Sequence, residues 1–154
     1  MNAVFTTLIA LIGLHVHGQN NLPKGKLFII GGGERPPAMM QRLAVEAGLD
    51  KGGYVVVLPM SSEEPDSAFY YTQISLVELG YKNVYKLFCT KEQSNDLAKV
   101  DSIANAKLIY ITGGDQSLFM NVVDGSLILK AIRDAYQKGT TVGGTSAEIG
   151  RAHV

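Results

Sequence analysis

The chain has 154 residues, which is enough for one domain with a substantial core and too short for two ordinary domains. Its 46% hydrophobic residues, 17 glycines and formal net charge of zero are typical of a turn-rich globular protein, with no basic surface for nucleic acid or an anionic membrane. The single cysteine, Cys89, excludes an internal disulfide and a multi-cysteine metal site. It ends an apolar run, so we expect a buried or half-buried thiol.

An apolar run at residues 4–14 opens the chain. Its length is typical of a secretory signal peptide and is short for a bilayer span. Small residues at Val16-His17-Gly18 suit a cleavage site, although no Lys or Arg precedes the run. We therefore expect residues 1–18 to be a signal peptide, with a buried N-terminal element as the alternative. The mature protein would be exported to the periplasm or the extracellular space, with no membrane contact after cleavage.

Beyond Gly25, apolar runs of strand length alternate with segments of helical spacing. The predicted strands are residues 27–30, 54–58, 83–88, 108–111 and one that begins at Thr141, and the predicted helices lie near residues 40–47, 67–79, 97–103 and 127–135. Strands without polar alternation are covered on both faces, which is typical of a parallel sheet. The alternation predicts a doubly wound α/β fold with flanking helices.

Four turns follow predicted strands, at Gly31–Gly33, Pro59–Ser62, Gly113–Gln116 and Ser146. The carboxyl ends of parallel strands share one edge of the sheet, and ligands bind there. The first turn departs from a dinucleotide-binding loop, because Pro36 stands where the third glycine belongs. We interpret it as a tight strand-to-helix turn near an active site.

The polar segment Ser61-Ser62-Glu63-Glu64 follows the second predicted strand. It has two interpretations: it lines the crevice at the sheet edge, or it is a polar loop that caps the next helix. The second is the simpler one, and it predicts that the two glutamates are solvated.

The segment Gly113-Gly114-Asp115-Gln116 also has two interpretations. Its glycines and aspartate are typical of a turn that caps a helix, because Asp accepts hydrogen bonds from the first helical N–H groups. Alternatively, the paired glycines leave backbone N–H groups free to stabilise an oxyanion, and the Gln116 amide contacts a substrate. A serine one crossover later in the same sheet favours this second interpretation.

The segment Gly143-Gly144-Thr145-Ser146-Ala147 predicts a strand that ends in a sharp turn with a serine at its apex. Small neighbours in a Gly-x-Ser-x-Gly turn let the backbone expose a serine hydroxyl as a nucleophile. Glu148 stands where the last glycine of that pattern belongs. A serine nucleophile also needs a general base, and none of His15, His17 and His153 is suitably located in the sequence.

Together, the segments Ile29–Glu34, Val57–Ser62, Ile111–Gln116 and Gly143–Ala147 resemble the cyanophycinase branch of the serine peptidases that include aspartyl dipeptidase (peptidase E). The resemblance extends over residues 26–147. It implies a class I glutamine amidotransferase-like α/β domain, of which this chain is an N-terminal part, incomplete at its C-terminus. Members cleave peptide or isopeptide bonds at aspartyl residues, and cyanophycinases release β-aspartyl-arginine dipeptides from cyanophycin.

The resemblance implies roles for individual residues. Ser146 matches the nucleophile, and Gln116, with Asp115 beside it, matches the substrate contact. Gly113, Gly114 and Ala147 match the oxyanion region. The family's histidine and acidic partner come from beyond Ser146, so this fragment is expected to be inactive.

The expected partner is a peptide or a cyanophycin-like substrate, with no cofactor or metal, and a homodimer is left open. The alternatives are an aspartyl dipeptidase and a noncatalytic amidotransferase-like binding domain.

The last residues have a separate explanation. Ile149–Val154 is what the codons ATC-GGA-AGA-GCA-CAC-GTC encode, and that string resembles a common sequencing adapter. We therefore expect residues 149–154 to be a non-native tail and Glu148 to replace a native glycine. A natural divergent tail is the alternative.

Overall fold

The structure is a computed structural model that describes residues 22–145. Five parallel strands form one sheet in the order β1-β5-β4-β2-β3. In chain order the elements are β1 (Leu27–Ile30), α1 (Pro37–Glu46), a 3-10 turn (Leu49–Lys51), β2 (Val55–Leu58), α2 (Pro65–Val77), β3 (Val84–Lys86), α3 (Leu97–Ala104), β4 (Leu108–Ile111), α4 (Gln116–Val123), α5 (Leu127–Lys138) and β5 (Thr141–Thr145). The predicted α/β fold with a parallel sheet and flanking helices is confirmed.

Alternate residues of the central strands contribute to two separate apolar layers. Val55 and Val57 of β2 pack on the face that α1 and α2 cover. Val56 and Leu58 face the opposite way and pack with α3, α4 and α5. All four side chains are buried, which accounts for the apolar run without alternation in this strand.

Helix α5 shows how local sequence sets an element. The Ser126 side chain accepts a hydrogen bond from Leu129 N at its start, and Gly139 follows its end with a φ of 124°. The residues at helical spacing face the sheet and are buried, namely Ile128, Leu129, Ala131, Ile132 and Ala135. Burial of this apolar stripe stabilises the second layer of the core.

Strand β1 departs from the prediction that every strand is covered on both faces. Ile30 is buried beneath α1 and α2, but Leu27 and Ile29 on the other face are 40% and 62% exposed. The strand lies at the sheet edge beyond β5, and it contributes nothing to the core layer of α3, α4 and α5. The position of a strand in the sheet, and not its own apolar run, decides this exposure.

Helix α2 begins two residues earlier than predicted, with Pro65 in the first turn. Its buried residues are Thr72 and Leu76, whereas the apolar side chain of Val77 is 37% exposed. Cys89 is fully buried, as expected, and burial raises the pKa of its thiol.

Several predictions lie outside the described residues: the signal peptide at 1–18, Ser146, Ala147, Glu148 and the tail at 149–154. Within residues 22–145, no helix is long and apolar enough to span a membrane.

Candidate functional site

A cavity of about 310 Å³ lies at the carboxyl edge of the sheet. It is lined by Gly33 and Arg35 after β1, Tyr71 on α2, Gly113 after β4 and Thr145 at the end of β5. Loops that are far apart in sequence therefore meet where a parallel sheet binds its ligands. Thr145 directly precedes Ser146 in the sequence, so the predicted nucleophile follows a residue of this cavity.

Ser61 joins the loop after β2 to the loop after β4. Its side chain is fully buried, and its Oγ donates a hydrogen bond of 2.5 Å to the Thr112 carbonyl oxygen. The Ser61 carbonyl oxygen accepts a hydrogen bond of 2.8 Å from Asp115 N. The loop after β2 thus contains a buried serine that fixes a neighbouring loop, and within it only Glu63 and Glu64 match the predicted solvated polar loop.

The two glycines of the loop after β4 are required by their surroundings. Gly114 has a φ of 146°, and a Cβ on it would overlap the carbonyl oxygen of Ser61. A Cβ on Gly113 would lie 2.8 Å from Thr145 Oγ1. The absence of side chains therefore lets this loop approach the β2 loop and the end of β5 closely.

The backbone N–H groups of Gly113 and Gly114 are available as donors. Neither forms a hydrogen bond with another residue in the part of the chain that the structure describes. Unbonded, fixed N–H groups beside a cavity are what an oxyanion site requires. Their role in catalysis stays a prediction, as does that of Ala147, which lies outside this part.

Asp115 and Gln116 start helix α4. The Asp115 Oδ1 accepts a hydrogen bond of 2.7 Å from Ser117 N, so this carboxylate caps the helix. Gln116 is the first helical residue, and neither side chain lines the cavity. Capping accounts for the aspartate, and the substrate contacts assigned to both residues stay predictions.

Sequence reasoning missed Arg35, which lines the cavity. Its Nη1 donates hydrogen bonds to Thr72 Oγ1 at 3.2 Å and to the Tyr110 hydroxyl at 3.3 Å. Both acceptor side chains are fully buried. One signal existed: Tyr110 stands in an otherwise apolar strand, and a buried tyrosine hydroxyl needs a polar partner.

The turn at Gly31–Gly33 is open. All three glycines are exposed, and a Cβ on any of them would meet no atom within 4 Å. The structure agrees with a strand-to-helix turn near a cavity.

No group of three or more His, Cys, Asp or Glu side chains within residues 22–145 is arranged to hold a metal ion.

Comparison with known proteins extends these observations. A structure of a peptidase from an acI-B1 Actinobacterium is similar at a TM-score of 0.63 with 21% identity, over 80% of this chain and 55% of that one. A candidate peptidase E from Listeria monocytogenes EGD-e is similar at a TM-score of 0.56 with 16% identity, over 79% of this chain and 58% of that one. The chain thus spans little more than half the length of these two proteins.

No curated protein matches the chain. The family model for peptidase family S51 matches residues 27–148, which is more than half of the sequence. The chain therefore belongs to peptidase family S51.

Proposed function

We propose that the protein is a serine-type peptidase that hydrolyses peptide or isopeptide bonds at aspartyl residues, with Ser146 as nucleophile. The observation that carries this proposal is the convergence of Gly113 and Thr145 on one cavity at the carboxyl edge of the sheet, in a chain of family S51. Gly113, whose backbone N–H has no acceptor among residues 22–145, and the residue before the serine both line that cavity. Such an arrangement suits acyl transfer.

In the proposed reaction, Ser146 Oγ attacks the scissile carbonyl carbon and gives up its proton to a general base. The N–H groups of Gly113, Gly114 and Ala147 stabilise the negative charge on the carbonyl oxygen. The leaving amine takes the proton from the base, and water then hydrolyses the acyl-enzyme. The base is a histidine supplied by sequence beyond Ser146, since residues 22–145 contain no histidine.

For the substrate, we favour cyanophycin, cleaved to β-aspartyl-arginine dipeptides. The support is the Gly113-Gly114-Asp115-Gln116 sequence, which resembles the cyanophycinase form of this loop. An aspartyl dipeptidase is the second candidate, and the similarity to the candidate peptidase E of Listeria favours it.

The test uses the product of the complete gene, incubated with cyanophycin and with Asp-X dipeptides. Ser146→Ala should abolish hydrolysis, because the variant lacks the attacking oxygen. Ser102→Ala is the matched control, since its hydroxyl only bonds Ala98 O on helix α3. Mass spectrometry of the protein after treatment with a serine-directed phosphonate locates the reactive residue.

The outcomes separate the candidates. Release of β-aspartyl-arginine from the polymer supports the cyanophycinase assignment, and activity on Asp-X dipeptides alone supports the dipeptidase. Hydrolysis that survives Ser146→Ala contradicts the nucleophile assignment. Absence of hydrolysis, together with retained binding of an aspartyl peptide, supports the noncatalytic alternative.

A further inference from the structure

Arg35 is anchored from inside the protein. Its Nη1 group contacts Thr72 on α2 and Tyr110 on β4, both of which are fully buried. The Thr72 hydroxyl also donates to Ala68 O at 2.9 Å, so it is oriented to accept the hydrogen bond from the arginine. The guanidinium of this cavity-lining residue is thus held by two buried hydroxyls.

Toward the described residues 22–145, most donors of this guanidinium form no hydrogen bond. An arginine carries five N–H donors in a rigid planar fork, and both observed hydrogen bonds leave from Nη1. Among residues 22–145, Arg35 forms no ion pair with a carboxylate and no hydrogen bond through Nε or Nη2. A half-buried cation with three free donors can bind an anion without first breaking an internal ion pair.

The backbone conformation at Arg35 is also restricted. Pro36 and Pro37 follow it, and Pro37 is the first residue of α1. A residue before proline is restricted to extended conformations, so the segment that carries Arg35 has little freedom to lose on binding. A preorganised cation binds more tightly because fewer degrees of freedom are frozen by the ligand.

The cavity restricts the ligand. Among residues 22–145, Arg35 is the only charged residue in its lining, and the other lining residues are glycine, alanine, threonine and tyrosine. A volume of about 310 Å³ is at the small end of ligand sites and suits one amino-acid residue. The anionic group that peptides carry is the carboxylate, and its two oxygens match the arginine fork.

We propose that Arg35 binds a carboxylate of the peptide substrate and sets the preference of the enzyme for an acidic group. The inference rests on the proposed peptidase function. Gly113 and Thr145 line the same cavity, so the carboxylate lies beside the acyl group that Ser146 attacks. The carboxylate comes either from an aspartyl side chain or from the C-terminus of the substrate.

Matched substrates measure the preference in the complete protein. Asp-p-nitroanilide is compared with Asn-p-nitroanilide, which has the same shape without the charge, and Asp-Ala is compared with Asp-Ala-amide. Arg35→Gln should reduce the preference for the charged member of one pair at least tenfold, mainly through KM. The rate on the uncharged member of that pair should fall much less than the rate on the charged member.

The control variant is Arg42→Gln, on the exposed face of α1, which should leave both preferences unchanged. Loss of preference in the Asp/Asn pair identifies the side chain as the source of the carboxylate, and loss in the Ala/Ala-amide pair identifies the C-terminus. The proposal is overturned if Arg35→Gln changes neither pair, or slows all substrates equally.

A second variant tests whether the anchoring hydroxyls position the arginine. Tyr110→Phe keeps the packing and removes only the hydroxyl that Arg35 contacts. It should raise KM for the charged substrate about threefold and leave kcat within twofold, because one of two anchors is lost. Unchanged KM would exclude a positioning role for Tyr110.

Binding without turnover separates this inference from the proposed function. N-acetylaspartate and N-acetylasparagine are titrated into the complete protein, with the shifts of backbone amide resonances as the readout. The aspartate derivative should shift the resonances of Gly33 and Gly113, and Arg35→Gln should abolish those shifts. If the protein hydrolyses no peptide but shows this binding, the peptidase proposal is contradicted and the Arg35 inference is retained. If neither ligand binds, the Arg35 inference fails.

Discussion

Two glycine turns border the same cavity, and their glycines serve different purposes. In the turn after β4, Gly113 and Gly114 are packed against Thr145 and the Ser61 backbone, with no room for a side chain. In the turn after β1, Gly31 and its neighbours face open space. The first turn is shaped by contacts within the protein, and the second is an open connection to the segment that carries Arg35. Similar glycine-rich sequences therefore form a tightly packed turn on one side of the cavity and an open turn on the other.

The largest expected effect comes from Gly114→Ala. The substitution combines a φ of 146° with overlap of the Ser61 carbonyl, so it should lower the free energy of unfolding by about 3 kcal/mol or more. Urea denaturation followed by circular dichroism measures the change. A loss of less than about 1 kcal/mol in the free energy of unfolding would show that the loops after β2 and β4 can separate at little energetic cost.

Ser61→Ala should have the next largest effect. It removes the buried hydrogen bond to the Thr112 carbonyl, which should cost about 1–3 kcal/mol. Ser62→Ala is the matched control, since its hydroxyl only accepts from Glu64 N at an exposed site and should contribute about 0.5 kcal/mol. Equal losses in the two serine variants would contradict a linking role for Ser61.

Gly113→Ala should cost less, about 1 kcal/mol. The new Cβ would lie 2.8 Å from Thr145 Oγ1, and that side chain can rotate away, unlike the backbone next to Gly114. Denaturation of Gly113→Ala and Gly114→Ala under identical conditions checks the order. The reverse order would mean that Thr145 is held more rigidly than the Ser61 carbonyl.

The smallest effect is expected for Gly31→Ala in the open turn. No atom lies within 4 Å of the new Cβ, and the φ of Gly31 is not in the left-handed region. The stability should change by no more than about 0.5 kcal/mol, with a small gain because the unfolded chain loses freedom. A loss comparable to that of Gly114→Ala would remove the distinction between the two turns.

The sequence predicted the strands best where an apolar run is bounded by turn residues. Strands β1 and β4 agree with the prediction to the residue, at 27–30 and 108–111. Helix α4 was not assigned beyond the possible Asp115 cap, because its eight residues are too few to show a clear period. The exposure of Ile29 could not be predicted either, since it depends on strand order.

The meeting of the loops at one edge followed from the parallel sheet, and the cavity lined by Gly33, Gly113 and Thr145 agrees with it. The contacts of Arg35 could not be predicted. They join residues 37 and 75 positions apart, and no local pattern specifies such pairs. Prediction from sequence thus located the loops at the carboxyl edge of the sheet and missed the arginine that lies among them.

The burial of Cys89 makes the reactivity of its thiol a measure of local opening of the structure near β3. It is the one cysteine in the sequence, it is fully buried just beyond β3, and its raised pKa keeps it protonated near neutral pH. A disulfide reagent reacts with an exposed thiolate, so modification must wait for this region to open. The ratio of the rate of thiol modification in the folded protein to the rate in the unfolded chain gives the free energy of local opening. Local opening at the β3 edge of the sheet can therefore be followed through the absorbance change of the disulfide reagent as it reacts with Cys89, and no label has to be introduced.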